Sequence, residues 1–162
     1  MSSTAQTILL WLFIVNLGIA FGAGLFEHRI IVPDWLSTSG SEKHWNAETV
    51  RKDDTGRRFW AFVTTVPLTL LSLANLYAAW ASTGPLRAWW LLAAVAALVE
   101  RTFTFAFFIP TMVGLMNAQD SPAAVATAMR WSNLNYLRHA LGLAAWLLAL
   151  RTLEVLAQAR RA

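Results

Sequence analysis

Apolar side chains run almost unbroken through four stretches of this chain, and most charged side chains fall between them. The first stretch runs from about Thr7 to Ile31 and is uncharged until Glu27; the second runs from about Phe59 to Trp80, the third from about Leu86 to Val113, and the fourth from about Leu134 to Val155. A hydrocarbon core of about 30 Å takes roughly 20 residues of helix to cross. Each stretch is therefore predicted to span a bilayer as a helix, the element that satisfies its own backbone in lipid. Met1 to Thr7 carries no positive charge, and no small-residue cleavage site follows a short apolar core, so the first span is expected to be retained rather than removed as a signal.

The connections differ in kind. The first loop, about Val32 to Arg58, is long and dense in charge of both signs. The second, around Ala81 to Leu86, is a tight turn marked by Ser82, Gly84 and Pro85, which makes spans two and three antiparallel neighbours. In the third, Ser121 before Pro122 reads as an N-cap followed by proline at the first helical position. That start predicts a short interfacial helix, Ala123 to Trp131, leading into span four. The expected fold is all-α: one domain over residues 1–162, a four-transmembrane-helix bundle with a long charged loop between helices one and two and a short interfacial helix before helix four.

Composition excludes the other classes. Of 162 residues, 57% are hydrophobic and 14% charged, with a mean hydropathy of +0.47, whereas soluble domains carry about 25% charged residues. A soluble chain of this size cannot hide so much apolar surface, and a disordered one would not contain it. Without cysteine, disulfides, zinc–thiolate sites, iron–sulfur clusters and thiol nucleophiles are excluded. The net charge of +4 comes from cations interleaved with acids, the pattern of membrane flanks rather than of a nucleic-acid stripe. A polytopic helical chain is expected in the cell (inner) membrane. Lys43, Arg51, Lys52, Arg57, Arg58 and Arg130 flank one side, and Arg87, Arg151, Arg160 and Arg161 the other, a count that leans towards a cytoplasmic loop-one side.

Polar residues inside spans are costly and so informative. Gly18 and Gly22, and Ala20 and Gly24, form small-xxx-small pairs that suit close helix packing and offer a face for homo-oligomers. Glu27, His28 and Arg29 close span one, and Asn135, Arg138 and His139 open span four, on the same side of the membrane. Helical spacing puts Asn135, Arg138, His139 and Gly142 on one broad face. Glu100 and Arg101 lie near the middle of span three, and Asn75, Pro67 and Pro110 add polar or carbonyl-freeing positions. Each has a plainer alternative. Glu100 and Arg101 suit a helix-orienting ion pair, Arg29 and Arg138 suit snorkelling, and the histidines suit interfacial positions. Trp35, Trp60, Trp80, Trp89, Trp90 and Trp131 suit interfacial anchors, and His44 suits solvent. The convergence of two histidines, two arginines, an acid and an amide at one depth is what points to chemistry.

The segment FIPTMVGLM at Phe108 to Met116, and RWSNLNYLRHALGLAAWLLAL from Arg130, resemble the anthrone oxygenase-like membrane proteins (the DUF1772 family) at Pro110, Trp131, Asn135 and Arg138. The opening GIAFGAGLFEHRIIVPDW is similar to the family's small-residue first helix ending near a proline, here Pro33. The chain departs from the pattern in having Thr111 and Met112 after Pro110, with Asn117 only later. The resemblance implies a four-span bundle that oxygenates an anthrone-type polycyclic aromatic to a quinone without metal or flavin, hence no cofactor.

Such chemistry needs a proton removed and an oxyanion held. His139 or His28 is the candidate base, its neutral form being available near pH 7; Arg138, Arg29 and Asn135 are candidates for the oxyanion. Trp131, Phe105 and Phe108 are candidates to stack the rings, with Glu27, Glu100 and Arg101 completing a polar pocket, and lipid delivering a hydrophobic substrate. Two other classes stay open: a haem or metal site on His28, His139, Glu27 and Glu100, and a non-enzymatic small transporter or accessory subunit.

Overall fold

The computed structural model describes residues 2–160; Arg161 lies outside them. Helices α1 (Ser3–Trp35), α3 (Gly56–Trp80), α4 (Gly84–Met116) and α5 (Pro122–Ala159) are each long and apolar enough to cross a membrane. They pack in cyclic order, α1 on α3, α3 on α4, α4 on α5 and α5 on α1, the up-and-down bundle that short connections favour. Outward faces are apolar, with Tyr77, Phe62 and Leu70 among the most exposed side chains, as lipid-facing surface requires. The bundle midsection is built on Phe13, Ile14, Leu17, Leu68 and the alanines Ala93, Ala97, Ala145 and Ala149. Those alanines, four apart on α4 and on α5, let the two helices approach closely, a role the sequence suggested only for span one.

The stretch expected as a separate interfacial helix is helical but continuous with span four. Ser121 caps α5, its hydroxyl accepting from the Ala124 amide at 3.2 Å. No Gly or Pro intervenes between Ala123 and Leu134, so nothing stops the helix before it enters lipid.

Spans one to three share one irregularity. Each widens into π-helical turns near its loop-side end, at Glu27–Ile31, Gly56–Thr65 and Thr104–Phe108. Each widening ends two residues before a proline. Val32, Val66 and Ile109 donate their amides to carbonyls five residues back, at Glu27, Ala61 and Thr104, and Pro33, Pro67 and Pro110 follow. Proline has no amide hydrogen and its ring clashes with the carbonyl four residues back, so the preceding turn opens instead. Four residues before Pro67, the Val63 carbonyl accepts from Asn16 Nδ2 at 2.9 Å.

Loop one is not irregular. It forms a hairpin, β1 (Leu36–Ser39) against β2 (Glu42–Trp45), with Gly40 at φ +63° in the turn. A helix α2 (Ala47–Asp53) follows, capped by Asn46 and closed by Asp54 in the left-handed region. This cap docks on the α4–α5 end through Trp45, whose Nε1 donates to the Leu115 carbonyl at 2.8 Å, and through the Arg51 guanidinium on the Met116 carbonyl.

His44, expected in solvent, is only half exposed: its Nδ1 lies 2.8 Å from Asp120 Oδ2, while Asp120 Oδ1 accepts from the Trp45 amide at 2.8 Å. The Trp45 amide first, and His44 second, hold the Asp120 carboxyl below its ordinary value of 3.8. A depressed carboxyl stabilises the docked hairpin above that ordinary value, and the contribution is lost as pH falls through the folded value. Protection of the Trp45 amide, taken relative to its intrinsic exchange rate at each pH, should therefore fall on acidification below about pH 4, and Asp120→Ala should lower it already at neutral pH. Unchanged protection in that variant would show that the carboxylate does not hold the hairpin.

Tryptophan placement differs from the anchor reading. Trp80 is a surface anchor, with the Arg87 guanidinium 4.8 Å from its ring centre. Trp35, Trp90 and Trp131 are buried, and their indole N–H groups tie elements together: Trp35 to Asp53 at 2.8 Å, Trp90 to Asn75 at 2.8 Å, and Trp131 to the Phe108 carbonyl at 3.1 Å. An amphipathic ring suits an interface, and it equally suits an interior site that offers one acceptor.

Candidate functional site

The three π-helical turns and the first half of α5 surround a cavity of about 450 Å³. Of the residues singled out in the sequence, Glu27, Glu100, Arg101, Phe108, Trp131, Arg138 and His139 line it. Four do not. Arg29 and Phe105 face outward. Asn135 is buried but spends its Nδ2 on the Trp131 carbonyl at 3.0 Å, and its Oδ1 has no partner among the described residues. His28 stands beside the cavity, its ring centre 6.0 Å from that of His139 and 4.4 Å from that of Tyr136.

Each acid in the cavity is held. Glu27 Oε1 accepts from the Thr55 hydroxyl at 2.6 Å and from Trp60 Nε1 at 2.7 Å. Glu100 accepts from Arg101 Nε at 2.6 Å and from the Thr104 hydroxyl at 3.1 Å, and its second contact with the Arg101 guanidinium closes a buried pair. Arg138 is different. Its guanidinium lies 4.6 Å from the Phe108 ring centre and 5.8 Å from that of Trp60, and among the described residues it forms no ion pair or hydrogen bond. It is a cation on an aromatic shelf with donors directed at a cavity whose walls are mainly apolar.

His139, one position along α5, is buried, and its Nε2 has no hydrogen-bond partner among the described residues. It fits because residue 24 is glycine: a Cβ there would lie 2.5 Å from His139 Cε1. Of the small-residue pairs in span one, this is the glycine with a clear steric duty in the site. A Cβ at Gly18 would lie 3.2 Å from the Trp146 ring, while one at Gly22 would meet nothing within 4 Å among the described residues.

Several lining residues were not singled out for the site in the sequence. Trp35 and Trp60 are read there as anchors. Val50, Asp54 and Thr55 reach the cavity from the folded cap, and Asp54 pairs with Arg57 at 2.9 Å over its loop-side end. Among the described residues no group of three or more His, Asp or Glu side chains is placed to hold a metal ion. The fold and site thus define a four-helix integral membrane protein with a largely apolar cavity near one membrane face and a guanidinium and an imidazole inside it. No protein-family profile, characterised protein or solved structure matches the chain.

Proposed function

We propose that the chain is an integral protein of the cell (inner) membrane, since helical spans are built for that bilayer and outer membranes take β-barrels, and that it oxygenates a flat, lipid-soluble aromatic ketone of the anthrone type. One arrangement carries the reading. Arg138, in no direct ion pair among the described residues, and His139, with a nitrogen unpartnered among them, are adjacent on α5 and line the same aromatic-walled cavity.

The chemistry follows from the acidity of the ligand. His139 takes the proton from the methylene carbon of the anthrone, and the electron pair passes to the carbonyl oxygen as an enolate. Arg138 holds that oxyanion. The enolate is electron-rich enough to give one electron to molecular oxygen. Recombination forms a carbon–oxygen bond and a hydroperoxide, protonated from the His139 imidazolium. Loss of the remaining hydrogen on that carbon with cleavage of the O–O bond releases water and leaves the quinone carbonyl. Anthrone and oxygen thereby give quinone and water, with no external reductant.

Charge balance favours a ligand that arrives neutral. The deep part of the cavity carries two carboxylates, Glu27 and Glu100, and two guanidiniums, Arg101 and Arg138. Proton transfer to His139 creates an enolate–imidazolium pair and leaves the net charge of the site unchanged, so no uncompensated charge has to be buried. The test is turnover of 1,8-dihydroxyanthrone under ¹⁸O₂ by the purified protein in lipid vesicles. The expected result is quinone formed faster than in protein-free vesicles, with one labelled oxygen in each quinone. A rate equal to the protein-free control overturns the proposal.

A further inference from the structure

We infer that the cavity is loaded sideways from the membrane, through a gap between the loop-side halves of α3 and α4 at the acyl-chain–headgroup boundary. This rests on the preceding reading for its ligand, but not for its geometry. The far halves of α3 and α4 pack side by side, whereas the widened turns Gly56–Thr65 and Thr104–Phe108 make little contact with one another. The cavity reaches the surface there. Its rim is apolar and exposed: Phe62 at 73%, Val113 at 54% and Ile109 at 39%. A mouth opening into water would be lined by polar side chains. Of the polar lining groups, Glu27, Arg101 and His139 are buried and Arg138 is half-buried.

The loop-side end is covered instead. Trp35, Val50 and Thr55 line the cavity from the cap, and the Asp54–Arg57 pair lines it at the same end with the Arg57 side chain exposed. Depth places the gap. Trp80, 68% exposed with Arg87 stacked on it, marks the far interface. About 20 residues cross the 30 Å hydrocarbon layer, and that count back along α3 arrives at Ala61 and Phe62. The gap thus lies where acyl chains meet headgroups, the layer in which a flat aromatic body with a polar carbonyl is retained. A molecule sliding in that plane passes Phe62 and meets Arg138 without crossing water.

Two measurements on the full chain in phosphatidylcholine vesicles test this. The first is the rate at which 1,8-dihydroxyanthraquinone, preloaded in the vesicles, quenches tryptophan fluorescence. Val113→Phe, which narrows the rim, should slow association and dissociation together by about tenfold, the low end of the range spanned by variants of one site, with the equilibrium constant nearly unchanged. Phe62→Ala should speed both, and Arg57→Ala, which opens the loop-side cover, should change neither. The second uses the absence of cysteine: a nitroxide on Phe62→Cys should collide with dissolved oxygen and be shielded from a water-soluble nickel chelate. Rates that follow Arg57→Ala rather than the rim variants, or free collision with the chelate, overturn lateral loading. Absence of any quenching in the native chain removes the quinone as ligand, and the nitroxide result then decides the position of the mouth by itself.

Discussion

His139→Ala is expected to lower kcat for 1,8-dihydroxyanthrone by about 10²- to 10⁴-fold, the range contributed by a positioned base, with KM little changed. The rings would rest on Phe108, Trp131 and Trp60, cavity walls that the substitution leaves in place. Arg138→Gln should cost about 10²- to 10³-fold, as loss of an oxyanion donor does, because the other lining guanidiniums among the described residues are paired, Arg101 with Glu100 and Arg57 with Asp54. The two effects should not add, since base and oxyanion donor act on one proton transfer. His28→Ala is the contrast. Its ring borders His139 but not the cavity, so it should keep most of the activity. Gly24→Ala gives an independent readout. The added methyl would lie 2.5 Å from His139 Cε1 and so displaces the imidazole, while alanine in a helix is favoured over glycine by about 1 kcal/mol. The expected variant is folded and slow. Full activity in His139→Ala, or in Gly24→Ala with a shifted imidazole, would remove the base role.

The spans were legible because bilayer thickness sets a length that few other structures require, and the chain meets it four times. The grouping of Arg138, His139 and Gly142 was legible for a similar reason, since helical spacing places them on one face and all three line the cavity. Asn135 shares that spacing and is buried, yet it turns its amide to its own helix; one-turn spacing does not say which way a short polar side chain bonds. The cap was not legible. Leu36–Trp45 is a short two-stranded hairpin whose outward positions are polar, and its stability comes from Trp45, His44 and Arg51 on the α4–α5 end, contacts far away in sequence. Asp54 and Thr55 therefore read as solvated loop residues, although they reach the cavity. The prolines were visible, but their consequence was not: three widened turns at one level need all three spans in register.

Trp131 is where cap and site meet, and Trp131→Ala should be the most destabilising single change in the chain. Its indole is 6% exposed, packs at 6.0 Å edge to face on Phe108 and at 6.3 Å on Trp35, and sits in one core with Val32, Trp45, Val50, Leu115 and Ala128. Truncation leaves a cavity that α1, α4 and the cap cannot close together, because each is fixed by a different proline turn or hydrogen bond. Loss of such a ring costs about 3–5 kcal/mol. The Phe108 carbonyl also loses its indole donor. Trp131→Phe separates the terms: it keeps most of the ring and removes the N–H, so only about 1 kcal/mol is expected, the usual net worth of one hydrogen bond. Thermal unfolding in a fixed detergent, followed by circular dichroism, measures both. Equal losses in the two variants would assign the stability to the hydrogen bond rather than to packing, and a loss below about 1 kcal/mol in Trp131→Ala would mean that the cap and bundle are not held through this residue. Because Trp131 also lines the cavity, the alanine variant should lose quinone binding in step with its stability, whereas Trp131→Phe should retain the stacking face and bind.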